Sequence, residues 1–183
     1  METTIINYKL FKTFCVAHHD LICNQKYATS FIKDGLPYSF HLRAVVEQVY
    51  KFKYLLKSEE EIALALAGGW GHDLIEDARV TYNDLKQDWG EELAEIIYCC
   101  TEEKGRNRGE RHSGKYYNEL SKNDLAVFVK LCDIIANVKF SLLTNSSMYG
   151  KYKKEYPKMK FHLYREQYAD MFEYLERILL VEL

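Results

Sequence analysis

Only two prolines, Pro37 and Pro157, interrupt 183 residues, and both fall between stretches with helical spacing. Proline ends or kinks a helix, because it lacks the amide donor and its ring meets the preceding turn. A chain this poor in proline can run in long helices. Apolar residues recur at three- and four-residue intervals, and no stretch alternates as a strand does over more than a few residues. Residues 5–27 carry Ile6, Leu10, Phe14, Ala17 and Leu21 in that rhythm and predict a first helix. Asp34-Gly35-Leu36-Pro37 predicts a turn, after which a second helix runs from Tyr38 to about Lys57. Ser58 with Glu61 three residues later reads as a capping box, opening a third helix through Ile62 and Leu66. Thr81 to Trp89 reads as a short helix stopped by Gly90, with Glu91 to Cys100 following it. Residues 102–115, with Gly105, Gly109 and Gly114 among charges, read as a flexible loop. Asp124 to Leu143 is apolar on several faces and predicts a helix through the core, and a last amphipathic helix spans roughly 158–181. The predicted fold class is all-α, a single-domain helical bundle over 1–183, within the usual size of one domain.

The formal net charge of −2 excludes a global basic field, so neither a nucleic-acid polymer nor a membrane surface is expected as partner. Two runs, Lys104–Lys115 and Lys151–Lys160, are broken by Glu, Tyr or Gly and read as solvated faces. The 15 Tyr read as amphipathic packing with polar tips outward. Five cysteines, at 15, 23, 99, 100 and 132, form no CxxC pair, and the N-terminus shows no signal-peptide pattern. Buried thiols in a reducing, cytoplasmic compartment are the expectation. No apolar run approaches the roughly 20 residues of a membrane span. No feature of the sequence specifies an oligomeric state.

The chemistry concentrates in a few acidic and imidazole groups. His72-Asp73-Leu-Ile-Glu76-Asp77 follows the small, apolar run Gly68–Gly71. At helical spacing Asp73, Glu76 and Asp77 share one face, and carboxylates entering an apolar stretch need a partner. A divalent cation supplies one. Asp133 and Asn137, four apart in the apolar 124–143 helix, need partners for the same reason; Lys130 is an alternative partner for Asp133. His41, one turn after Pro37-Tyr38, is by itself as well explained as a core or capping residue. Together, His41, His72, Asp73 and Asp133 supply two imidazoles and two carboxylates to one ion, a donor set suited to Mn, Fe, Zn or a similar divalent metal. The three glycines before His72 suggest close helix packing or an altered pocket wall.

The order H…HD…D resembles the HD superfamily of metal phosphohydrolases. Gly35-Leu-Pro37-Tyr38-Ser-Phe-His41 resembles the segment around the first metal histidine of RelA/SpoT homologues, the enzymes of (p)ppGpp metabolism. His72-Asp73-Leu-Ile-Glu76-Asp77, Trp89-Gly90-Glu-Glu-Leu-Ala and Lys130-Leu-Cys-Asp133-Ile-Ile-Ala-Asn137 are similar to three further segments of that family, over about residues 14–140. The resemblance implies an HD-type bundle that hydrolyses the 3′-pyrophosphate of ppGpp, a small-molecule nucleotide. It implies His41, His72, Asp73 and Asp133 as ligands to a divalent ion, typically Mn²⁺. Glu76 and Asp77 become the catalytic carboxylates, Asn137 a nucleotide contact and Lys33 a phosphate or base contact. Two arginines of the family pattern are Ile32 and Ile134 here, so an HD nucleotidase or phosphodiesterase on another nucleotide is the alternative. A non-catalytic nucleotide-binding regulator is a second one.

Overall fold

The computed structural model describes residues 7–30 and 32–180. Its centre is α9 (Asp124–Leu143), started by Asn123, whose side chain accepts from the Ala126 amide at 3.0 Å. α9 is buried on most of its faces because α2 (Ser39–Phe52), α3 (Glu59–Gly71), α6 (Glu91–Cys100), α10 (Ser147–Leu163) and α11 (Ala169–Leu179) pack around it. This accounts for its weak amphipathicity: a helix surrounded by others needs no polar stripe. α1 (Tyr8–Val16) lies on α3, and α5 (Tyr82–Trp89) packs on α6. Among the described residues the sheet is two short antiparallel strands, β1 (Lys26–Tyr27) and β2 (Leu36–Pro37), with Tyr27 paired to Leu36. No helix of the described residues is long and apolar enough to cross a membrane.

Close packing explains the glycine run. A Cβ on Gly71 would meet Ile97 Cδ1 at 2.7 Å and Phe11 Cζ at 2.8 Å; one on Gly68 would stand 3.0 Å from Val129 and one on Gly69 3.1 Å from Val46. The glycines let α3 sink among α1, α2, α6 and α9, and so set the depth at which His72 emerges.

Several elements differ from the sequence expectation. Residues 5 and 6 lie outside the described residues, and the first helix does not run on to 27. It passes into a π turn over Ala17–Ile22, where the Cys23 amide bonds five residues back to the His18 carbonyl at 2.9 Å. Glu61 at α3 reaches back to the Lys57 amide at 2.7 Å, one residue beyond the Ser58 amide that a capping box uses, while Ser58 caps the Glu61 amide as expected. The stretch 102–115 carries α7 (Arg108–Arg111) and the start of α8 (Gly114–Leu120), capped by Asn107 and Ser113. α10 runs through Pro157, although a proline inside a helix costs about 3 kcal/mol. Tyr149, Met159 and Leu163 are buried on both sides of it, and docking each half against the bundle outweighs that cost. The last helix, expected as one piece, is divided by Tyr164 and a 3₁₀ turn over Glu166–Tyr168 into α10 and α11, and residue 181 lies outside the described residues.

Candidate active site

Four helices and their junctions bring the acidic and imidazole groups together. His41 sits in the first turn of α2, started where the Asp20 carboxylate accepts from the Ser39 amide at 3.0 Å. His72 and Asp73 occupy a break between α3 and the four-residue α4 (Leu74–Asp77), so the HD pair lies at a junction and not within one helix. Asp73 adopts φ −103°, ψ 4°, the sparsely populated bridge region where many active-site residues lie. Its carbonyl still accepts from the Asp77 amide at 2.9 Å, so the one-turn spacing of Asp73 and Asp77 survives the break. Asp133 comes from the middle of α9.

The His41 and His72 Nε2 atoms face each other at 3.3 Å. Asp73 Oδ2 lies 2.9 Å from the His72 nitrogen and 3.8 Å from that of His41. Asp133 Oδ1 lies 3.2 Å from His41 Nε2 and 3.7 Å from His72 Nε2. All four side chains are buried. Donors at right angles around an ion with bonds of about 2.1 Å stand about 3 Å apart, so His41, His72 and Asp73 stand close enough together to hold a divalent cation, and Asp133 Oδ1 lies beside both imidazoles. The His72 Nδ1 donates to the Gly69 carbonyl at 3.1 Å, leaving Nε2 as the ring's donor atom toward that point. Burial pulls the His72 pKa down, but the Asp73 carboxylate beside it more than reverses this and raises it to about 9.

Asp133 divides its two oxygens between both readings of the sequence. Oδ2 pairs with Lys130 Nζ at 3.1 Å, while Oδ1 faces the imidazoles and accepts from Asn137 Nδ2 at 2.5 Å. Asn137 accepts in turn from the Tyr27 hydroxyl at 2.9 Å, so both ends of its amide are engaged within the protein, although it lines the cavity. Tyr27 stacks on His41 with ring centroids 4.9 Å apart. Tyr38 donates its hydroxyl to Asp73 Oδ2 at 2.5 Å.

Glu76 and Asp77 stand beside this cluster and line a cavity enclosing about 970 Å³ of empty space, open mouth included. Burial raises the pKa of both carboxyls, and the Asp73 charge raises each further. The Glu76 carboxylate accepts from the Glu102 amide at 3.2 Å, and Asp77 Oδ2 accepts from Gln25 Nε2 at 2.8 Å. Lys33 is exposed and does not line the cavity. Ile134 does line it.

The far wall was not legible as a site. The segment expected to be a flexible loop provides Glu102, Arg108, Arg111 and His112 to the cavity, and α10 adds Tyr152, Glu155 and Tyr156. Arg108 Nε donates to both Glu155 oxygens at 2.8 Å, and its guanidinium lies over the Tyr152 ring. His112 Nε2 stands 2.6 Å from a Glu102 oxygen. Both basic runs thus reach inward at some positions, and six of the 15 Tyr line the cavity. The signal available in sequence was small: Asn107 three residues before Glu110, and Ser113 before Tyr116, are helix starts inside an apparent loop. All five cysteines are free; Cys15, Cys100 and Cys132 are buried as expected, whereas Cys23 and Cys99 are half-buried.

No family model matches the chain. Among solved structures it is similar to a metazoan orthologue of SpoT, described as hydrolysing ppGpp and playing a role in starvation responses. The two share 17% identity at a TM-score of 0.72, over 93% of this chain and 92% of that one. The junction-borne His-Asp pair inside a helical bundle and the likeness over nearly the whole length agree: the chain has the all-helical HD-domain fold.

Proposed function

We propose that this chain is a single-domain, cytoplasmic, divalent-metal-dependent phosphohydrolase acting on a nucleotide, with ppGpp, cleaved to GDP and pyrophosphate, as the first substrate to test. One observation carries the reading: two imidazoles and two carboxylates converge within 3.8 Å contacts, with two further carboxylates of raised pKa beside them at the edge of one cavity. His41, His72, Asp73 and Asp133 would hold the ion, Mn²⁺ by resemblance to RelA/SpoT homologues. Such an ion supplies Lewis acidity and brings the pKa of water within its reach toward about 7.

Glu76 or Asp77 accepts the proton of the attacking water, a role typically worth about 10²–10⁴-fold. Their raised pKa values bring them nearer the working pH, where a base is most effective. Water oxygen bonds to the phosphorus on the 3′-oxygen, the bond from phosphorus to that oxygen breaks, and a proton returns to the 3′-hydroxyl. Tyr38 holds Asp73 in place through its hydroxyl, and Asn137 does the same for Asp133 besides facing the nucleotide. Tyr27, Tyr152 and Tyr156 line the cavity and are half-buried, so a base can stack on them, an interaction worth about 1–3 kcal/mol per base. Arg108, Arg111 and Lys130 supply positive charge for phosphates. Lys33, exposed and not among the residues lining the cavity, is left to a contact with a phosphate or base at its rim.

A second reading is favoured by Ile134, which lines the cavity where the family pattern has arginine: the same hydrolysis on a different nucleotide. Mn²⁺-dependent product release from ppGpp, measured beside a panel of ordinary nucleotides, separates the two. Pyrophosphate from ppGpp alone supports the first; turnover confined to the panel supports the second. No turnover with metal bound rejects both and favours a nucleotide-binding regulator.

A further inference from the structure

His19 is fully buried, has no part in the cluster above, and sits in the π turn. Such turns are rare and are frequent at functional sites. Three consecutive residues of this turn are tied to three parts of the site. His18 Nδ1 lies 3.4 Å from the Ala78 carbonyl just after α4. Asp20 caps the start of α2, which carries His41. His19 Nδ1 lies 2.5 Å from Gln25 Oε1, and Gln25 Nε2 donates to Asp77 Oδ2 at 2.8 Å.

The direction of this chain follows from its acidic end. An ionised Asp77 only accepts hydrogen bonds, so the Gln25 amide nitrogen must face it. The Gln25 oxygen then faces His19, and His19 Nδ1 must carry the proton. We infer that His19 and Gln25 are positioning residues that hold Asp77 by one oxygen, Oδ2, and keep the other, Oδ1, turned to the cavity and the attacking water. The inference rests on the phosphohydrolase reading for its consequence, and on these hydrogen bonds for its geometry. His19 also stacks on Tyr38, with ring centroids 4.8 Å apart and planes 18° from parallel, and Tyr38 donates to Asp73. One buried imidazole therefore braces both ends of the Asp73–Asp77 turn. Burial lowers the His19 pKa and favours the neutral ring, whose one proton then sits on Nδ1.

Gln25→Glu tests it with little change of shape. The new carboxylate still accepts from His19 but repels Asp77, so kcat should fall by about 10²-fold, as misplacement of a reacting group by about 1 Å does. KM and Mn²⁺ affinity should stay as in the wild type, since neither substrate nor metal donors are touched. Gln25→Leu, which removes the tether without repulsion, should lie between the two. A role in packing alone predicts the reverse order, with Gln25→Glu the milder change. Wild-type kcat in both variants of an active protein overturns the inference. A wild type inactive on every nucleotide sinks the phosphohydrolase reading instead, and imidazole ¹⁵N spectra then decide the geometry. They should show His19, assigned through His19→Leu or by backbone connectivity if that variant does not fold, as the Nδ1–H tautomer, with a signal that moves in Gln25→Leu. An Nε2–H tautomer indifferent to Gln25 overturns the inference.

Discussion

At the residue scale, the two groups of carboxylates have different surroundings and should fail differently. Glu76→Gln and Asp77→Asn each remove a proton acceptor while keeping the shape, so kcat should drop by about 10²–10⁴-fold. Calorimetric Mn²⁺ binding should persist in both, and its loss in either would move that carboxylate into the donor set. Asp133 carries two duties on two oxygens, Lys130 on one and the imidazoles on the other. Asp133→Ala should abolish metal binding and also take from the buried Lys130 its nearest counter-charge, leaving Glu102 at 4.0 Å, at about 3–5 kcal/mol in urea denaturation. Adding Lys130→Met should restore most of the stability and none of the metal binding. Recovery of both would mean that Asp133 serves the fold alone.

At the scale of elements, the depth of α3 decides where His72 emerges, and the glycines decide that depth. Gly71→Ala puts a methyl group against Ile97 and Phe11 at 2.7–2.8 Å. Overpacking of this kind costs about 1–3 kcal/mol, and the shift should weaken Mn²⁺ binding through His72. Gly150 in α10 is the control, since a Cβ there meets nothing within 4 Å. Gly150→Ala should stabilise the protein by about 1 kcal/mol through helix propensity, leaving metal binding alone. Equal effects of the two substitutions on thermal stability would show that propensity, not packing, governs α3. The 102–113 segment behaves as an element too. Its caps at Asn107 and Ser113 start two short helices, and the Arg108–Glu155 pair fastens it to α10.

At the scale of the whole molecule, the site concentrates buried charge that must be balanced for the bundle to close. A cation that binds only the folded state stabilises it by mass action, about 2.7 kcal/mol at a hundred times its Kd. Thermal melts should therefore rise with Mn²⁺ and fall back with chelator; a melt indifferent to both would argue against a site preorganised in the folded protein. Glu102 gives the pH dependence a defined sign. Burial raises its pKa, but the hydrogen bond from His112 and the Lys130 charge outweigh that, and it lies below the usual 4.5. A carboxylate with a lowered folded-state pKa contributes stability above its unfolded value and loses it as pH falls through the folded one. Glu102→Gln should thus be less stable than wild type by about 2 kcal/mol at pH 7. The gap should close below pH 4.5. A gap that persists in acid would assign the effect to shape and not to charge.

What could be read from the chain alone was whatever local spacing controls. α9 begins and ends where its apolar run does, and α5 and α6 meet at Gly90 with φ 95°. The His72-Asp73 and Asp133 groups stood out because carboxylates in apolar surroundings demand a partner wherever the chain folds. Tertiary structure decided the rest. It opened the π turn that carries His19, it carried α10 through Pro157, and it turned tyrosines and a glycine-rich charged stretch into a cavity wall. Periodicity records what each residue does to its own turn of helix. Whether Arg108 faces water or Tyr152 depends on which distant helix lies opposite, and only packing sets that.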